Sequence, residues 1–163
     1  NLLFSAWCDW KGFVFFFDAF YHLGISYLYL GQFEQAKNTF IKALSLEPEN
    51  EKCFYYIARA YRGLRRFNQS FAALNHAVKL SPGFSDAHFL LAETYFELAQ
   101  YHEAAKAYQQ ALSLSPNSIQ GLYRLGLCFI QLNEKEKAEQ VHLLLKKHSP
   151  YLAQKLLNQI VIM

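Results

Sequence analysis

Residues 17–50 read FDAFYHLGISYLYLGQFEQAKNTFIKALSLEPEN, from Phe17 to Asn50, and the rest of the chain repeats their punctuation. Pro48, Pro82, Pro116 and Pro150 are the four prolines of the 163 residues, and successive ones stand 34 positions apart. No insertion or deletion breaks that register. The same residue types return in fixed slots around it: Tyr27, Tyr61, Tyr95 and Phe129 in one, Gly24, Ala58, Ala92 and Gly126 in another. Ala36, Ser70, Ala104 and Ala138 fill a third slot, and Ala43, Ala77, Ala111 and Leu145 a fourth.

Within the quoted unit, Phe20, Leu23, Gly24 and Tyr27 lie at i, i+3, i+4 and i+7, the apolar stripe of an amphipathic helix. Gly31 ends that helix, as a glycine just past a C-terminus does. A second helix follows from about Glu34, with Ala36, Phe40, Ala43 and Leu44 at helical spacing. Glu47 precedes Pro48 and is pushed out of helical dihedrals, which stops it. Helix, short turn, helix, stop is an αα-hairpin. Small residues at Gly24, Ala36 and Ala43 let the two helices approach, and Tyr27 and Phe40 fill the remaining space, so Tyr61 is expected in the core by equivalence. One hairpin cannot bury its own apolar face, so neighbours must stack.

The expected fold is therefore all-α, with four helix pairs over 17–50, 51–84, 85–118 and 119–150. Later units keep the pattern with local departures: Ser70 in a small slot, His88 where an aromatic is usual, His142 and Leu145 late in the fourth. Over 151–163 a capping helix is expected. Leu152, Leu156 and Ile160, with Ala153 and Leu157, form its apolar side against Lys155, Asn158 and Gln159.

Residues 1–16, NLLFSAWCDWKGFVFF, fall outside the period as an aromatic-rich N-terminal extension. A start at Asn1 rather than Met is the pattern of a processed product or a piece of something longer. Asp9, Lys11 and Asp18 interrupt the ~20 apolar residues a membrane span needs, and no basic leader precedes Leu2 as in a signal peptide. The run Phe13, Phe15, Phe16, Phe17 and Phe20 is expected to extend the first helix and pack on the open end of the stack. The competing expectation is a docking element, for a partner or for a second copy in a homo-oligomer.

A hydrophobic content of 53% excludes a disordered chain. The net charge is +3 and the Lys and Arg residues are scattered, so the clustered basic stripe of a nucleic-acid binder is missing. Cys8, Cys53 and Cys128 form no C-x-x-C, which indicates neither a disulfide framework nor a zinc site and makes a reducing, cytoplasmic setting the default. His102-Glu103-Ala104-Ala105-Lys106 starts like H-E-x-x-H but has Lys where the second ligand belongs. Asn68-Gln69-Ser70 matches a glycosylation sequon whose Ser70 is a packing slot. No catalytic residue, metal ligand or cofactor site is expected, and the chain does not read as an enzyme.

Eight slots recur in four consecutive units, and from Phe17 to about Tyr151 the chain resembles the tetratricopeptide repeat (TPR) family. The resemblance implies a right-handed superhelical solenoid of four tandem TPR helix pairs, with a protein or peptide ligand held in the concave groove. In that family the first helix of each pair lines the groove. Helical geometry then nominates Tyr21 in the first unit and Tyr55, Tyr56, Arg59 and Arg62 in the second. Phe89 and Phe96 follow in the third, and Tyr123 and Arg124 in the fourth. Aromatic residues with interleaved Arg are the composition of binding hot spots. The competing reading is that Arg59 pairs with Glu93, which holds the equivalent slot of the next first helix, and that Tyr55 packs on Phe89.

The carboxylate clamp, with which some members grip the acidic tails of chaperones, has its corresponding positions at Tyr21, Ile25, Tyr56, Asp86 and Leu90, so it is absent. A mostly apolar groove suggests an extended or helical segment with aromatic or aliphatic anchors. The expected function is a protein-interaction module, an adaptor or assembly scaffold. The alternatives are a self-associating structural scaffold and the recognition arm of a larger enzyme.

Overall fold

A computed structural model describes the backbone of residues 2–162 and the side chains of residues 15–162. The packing expected of Phe13, and the side chain of Cys8, lie outside the described residues. Among the described residues all regular structure is helical. The nine helices are α1 (Leu2–Tyr29), α2 (Phe33–Leu46), α3 (Glu51–Gly63), α4 (Phe67–Leu80), α5 (Ser85–Glu97), α6 (Tyr101–Leu114), α7 (Ile119–Gln131), α8 (Lys135–His148) and α9 (Pro150–Ile162). The chain divides after Pro82 into two compact units. In the first, α1 pairs with α2 and α3 with α4, and α2 packs on α3. In the second, α5 pairs with α6 and α7 with α8, α6 packs on α7, and α9 lies on α8 and α7.

Every hairpin turns by the same hydrogen bonds. Gly31, Arg65, Ala99 and Asn133, again 34 apart, all have a left-handed φ between 56° and 71°. The N–H of the following residue reaches back to Tyr27, Tyr61, Tyr95 and Phe129 at 2.9–3.0 Å, and the left-handed residue's own N–H to Leu28, Arg62, Phe96 and Ile130 at 2.9–3.1 Å. These are Schellman motifs, which satisfy the last carbonyls of the first helix. Only Gly31 takes that conformation without steric cost. The second helices also end alike. Glu47, Ser81, Ser115 and Ser149 have extended φ between −125° and −150°, and each precedes a proline that disfavours helical dihedrals there. Pro150 then opens α9, one residue before the expected cap boundary, because a proline's missing N–H is harmless in a first helical turn.

The small slots are the closest approaches. Ala36, Ser70, Ala104 and Ala138, and Ala43, Ala77, Ala111 and Leu145, have no exposed surface. Ser70 is tolerated there because its hydroxyl donates to the Ala58 carbonyl at 3.0 Å. At Gly24 an added Cβ would meet three Phe40 ring atoms at 2.7–2.9 Å, and at Gly126 it would meet Leu156 of α9 at 2.6 Å. His142, in a slot that holds Phe40, Leu74 and Tyr108 in the earlier units, instead donates from Nδ1 to the Ala153 carbonyl at 2.9 Å, binding α8 to α9.

Two packing expectations are corrected. Leu23 is 44% exposed, whereas its equivalent Ile57 is buried in α3, which has α2 on one side and α4 on the other. Tyr61, like Tyr27 and Tyr95, is half-buried rather than core. Each stands in the last turn of its helix, next to the Schellman turn.

Candidate functional site

The α3 helix is positioned by Asn50, whose Oδ1 accepts the Cys53 N–H at 3.0 Å while its Nδ2 donates to Glu47 at 2.9 Å. From that start, Cys53, Ile57 and Ala60 are buried. Helical rotation carries Lys52, Tyr55, Arg59 and Arg62 to the opposite side, with Tyr56 at its margin. Arg59 is exposed; Tyr55, Tyr56 and Arg62 are half-buried.

The nominated residues of the first unit play two parts. Tyr21 and Tyr56 join the helices. Tyr56 stacks on Phe40 at 5.2 Å and 9°, and Tyr21 stands edge-on to both, at 5.6 and 6.1 Å. Phe17 stacks on the other side of Tyr21 at 5.7 Å. Burial, followed by the neighbouring Tyr56 phenol and a hydrogen bond to it, raises the Tyr21 hydroxyl well above the usual phenol range. Tyr55 and Arg59 form the solvent side: Tyr55 meets Tyr56 edge-on at 5.1 Å, and the Arg59 guanidinium lies 5.9 and 5.8 Å from the two ring centroids. That is cation–π range.

In the second unit, Phe96 and Arg124 come together, with the guanidinium 5.7 Å from the ring and Tyr101 edge-on to it at 5.3 Å. Phe89 is spent on packing. Its ring fills the space beside Gly121, where a Cβ would come within 2.5 Å, and lies 6.4 Å from Tyr108. Tyr123 carries the Lys155 ammonium of α9 at 5.6 Å. Phe17, Phe40 and Lys155 are the participants that sequence reasoning missed. One signal was available: Tyr21, Tyr55, Phe89 and Tyr123 are themselves 34 apart, an aromatic in every first helix. Lys155 had no such signal, since α9 lies beyond the repeats.

The thiols of Cys53 and Cys128 are buried, and burial pushes both up to about 12, so neither is a nucleophile at neutral pH. Among the described residues no cluster of His, Cys, Asp and Glu is placed to hold a metal ion, and no helix is long and apolar enough to cross a membrane.

Tetratricopeptide repeat family models match residues 17–50 and 52–84, and the model for anaphase-promoting complex, cyclosome, subunit 3 matches residues 72–144. None of the curated proteins matches the chain. Among solved structures, MamA from Desulfovibrio magneticus RS-1 superposes with a TM-score of 0.74 at 22% identity, over 82% of this chain and 76% of that one. The first TPR of Spaghetti (RPAP3), bound to the HSP90 peptide SRMEEVD, gives 0.68 at 25% identity over 72% and 93% of the two chains. YrrB, described as a TPR protein with an unusual peptide-binding site, gives 0.71 at 15% identity over 87% and 83%. Two tandem family matches, the unbroken 34-residue register and repeated Schellman-turned hairpins lead to one identification: the chain is a tetratricopeptide-repeat protein.

Proposed function

We propose that this chain is a protein-interaction module that holds an extended or helical segment of a partner on the face presented by its first helices. The observation that carries the reading is the α3 surface, where an exposed Arg59 guanidinium rests on the half-buried Tyr55 and Tyr56 rings. Half-buried aromatics beside Arg are what an anchor residue of a partner needs: apolar contact with little conformational entropy left to lose, and a directional polar edge. The RPAP3 repeat bound to a peptide and the peptide-binding site of YrrB support the reading. The ligand differs from a chaperone tail, because Tyr21, Ile25, Tyr56, Asp86 and Leu90 stand at the clamp positions. The module binds without turnover, and the buried free thiols of Cys53 and Cys128 fit a reducing compartment.

The test is a pull-down from native lysate with mass spectrometry, comparing wild type with Tyr55→Ala/Arg59→Glu/Arg62→Glu. Tyr56 is left in place because it holds helices together. A partner captured by wild type and lost in the folded variant supports the groove. One retained equally by both moves the binding surface away from α3.

Self-association is the second reading. On α1 and the turn after it, Phe15 (72% exposed), Phe16 (58%), Tyr29 (82%) and Leu30 (70%) leave apolar surface in solvent. Light-scattering mass across a dilution series decides it: a monomer at every concentration removes this reading.

A further inference from the structure

We infer that α1 pairs, antiparallel, with α1 of a second copy of this chain, through the face that α2 and α3 leave open. The inference rests on the self-association reading above and names its surface and its geometry. The side chains of α1 divide between two sides. Towards α2 and α3, Gly24 lies against Phe40, Tyr21 stands edge-on to Phe40 and Tyr56, and the Lys42 ammonium lies 5.9 Å from the Phe20 ring. On the other side, Phe16, Leu23 and Leu30 stand seven apart, as do Phe15, His22 and Tyr29, and all six are exposed. Two neighbouring rows at a seven-residue spacing form the seam along which one helix packs lengthwise on another. Helical rotation places Ala19 and Ser26 between the rows. The Ser26 hydroxyl already donates to the His22 carbonyl of its own helix at 3.0 Å, so covering it leaves no donor unsatisfied.

The repeats show what such a face receives. The slots of Ala19 and Ser26 hold Cys53 and Ala60 on α3 and Gly121 and Cys128 on α7, all buried. A second helix packs on each, α2 on α3 and α6 on α7, and a Cβ added at Gly121 would meet Leu112 of α6 at 3.1 Å. On α1 the same slots are exposed. A preceding second helix joined by the usual loop cannot cover them, because residues 13–16, the equivalents of the 47–50 link, are part of α1.

The face also matches itself. About His22 and Leu23 it reads alike in both directions: two large side chains at Phe15 and Phe16, small Ala19, small Ser26, two large ones at Tyr29 and Leu30. A twofold interface needs such self-complementarity. With the axis at His22 and Leu23, Phe16 of one copy faces Leu30 of the other, Phe15 faces Tyr29, Ala19 faces Ser26, and Leu23 faces its own counterpart. Charge agrees: between Phe15 and Leu30 the formal charge is that of Asp18, at the margin, so an uncharged face is the complement. The rings of Phe15, Phe16 and Tyr29 leave roughly 400 Å² per copy uncovered. With Leu23, Leu30 and the small residues between them, two copies together bury on the order of 1,200 Å², the lower end of a specific interface, so the dimer should depend on concentration.

The experiment uses the full chain. Light-scattering mass of wild type should rise from monomer to dimer with concentration. Leu23→Glu, which sets two carboxylates side by side at the twofold axis, should raise the dissociation constant more than about tenfold. Leu23 is exposed in a single copy, so at dilution the variant should melt as wild type does. Disulfide formation reads the orientation, in chains that also carry Cys8→Ser; the thiols of Cys53 and Cys128 are buried and stay out of the reaction. An equimolar mixture of Ala19→Cys and Ser26→Cys, one of them tagged, should form the mixed disulfide in preference to either symmetric one. Loss of the dimer in Leu23→Glu together with the mixed disulfide supports the inference. Symmetric disulfides in excess overturn the antiparallel pairing. A dimer retained in full by Leu23→Glu overturns the inference and leaves self-association standing through another surface. A wild type that is monomeric at every concentration overturns both, and leaves the face to a helix of another protein.

Discussion

Gly24 and Phe40 meet closely between α1 and α2, with the position of a Gly24 Cβ less than 3 Å from the ring. The equivalent slots in the second unit hold Ala58 and Leu74, both fully buried. A larger residue at one position is thus matched by a smaller one at the other. Gly24→Ala should destabilise by ~1–3 kcal/mol through overpacking. Gly24→Ala/Phe40→Leu, which copies the second unit, should lose less than the sum of the single changes in urea unfolding; strict additivity would show that the two sites do not share space. Tyr61→Ala belongs here too. Read as core it would lose ~3–5 kcal/mol, but a half-buried ring at a hairpin mouth should lose about 1–2. A thermal melt distinguishes these. The small slots were legible from sequence because nothing larger fits where two helices touch. The depth of Tyr61 was not, because the same residue type serves a core and a wet margin equally well.

At the scale of elements, the contacts that hold α9 include Leu156 against Gly126, the His142 bond to Ala153, and Lys155 over Tyr123. Leu156 has no exposed surface, so Leu156→Ala should destabilise by ~2–4 kcal/mol. In a repeat protein each element is stabilised by its neighbours, so amide hydrogen exchange should accelerate in α7, α8 and α9 more than in α1 and α2. Uniform acceleration would contradict this. Helix ends were readable wherever a proline follows, as at Glu47 and Ser149. The turns at Arg65 and Ala99 were not, because neither residue type announces a left-handed φ; packing and two hydrogen bonds impose it.

Over the whole molecule, the described residues include two buried thiols, Cys53 and Cys128, with a folded pKa of about 12 against an ordinary 9.0. The unfolded chain therefore gives up those protons first. Their contribution to stability is complete below about pH 9 and is lost as pH rises towards 12. Melting temperatures should fall across that alkaline range, and Cys53→Ala/Cys128→Ala should fall less steeply. An unchanged slope would assign the loss to other groups, the half-buried Tyr21 phenol among them. The candidate face was partly legible in the same way. Helical spacing put the aromatic and Arg residues on the first helices. Which rings are spent on packing depends on how closely helices meet: Tyr56 is taken by Phe40, and Phe89 by the gap beside Gly121, while Arg59 is exposed.

Ala99 carries a further consequence. An alanine in the left-handed region stores roughly 1–2 kcal/mol, and here it does so in an exposed loop between α5 and α6. Cutting the backbone at that joint would release the stored energy and break no buried contact. A protease recognition sequence spliced in after Ala99 should thus be cleaved in the native protein and yield two fragments that stay associated. The hairpin would become a separable pair of parts, a starting point for a split reporter built from this chain.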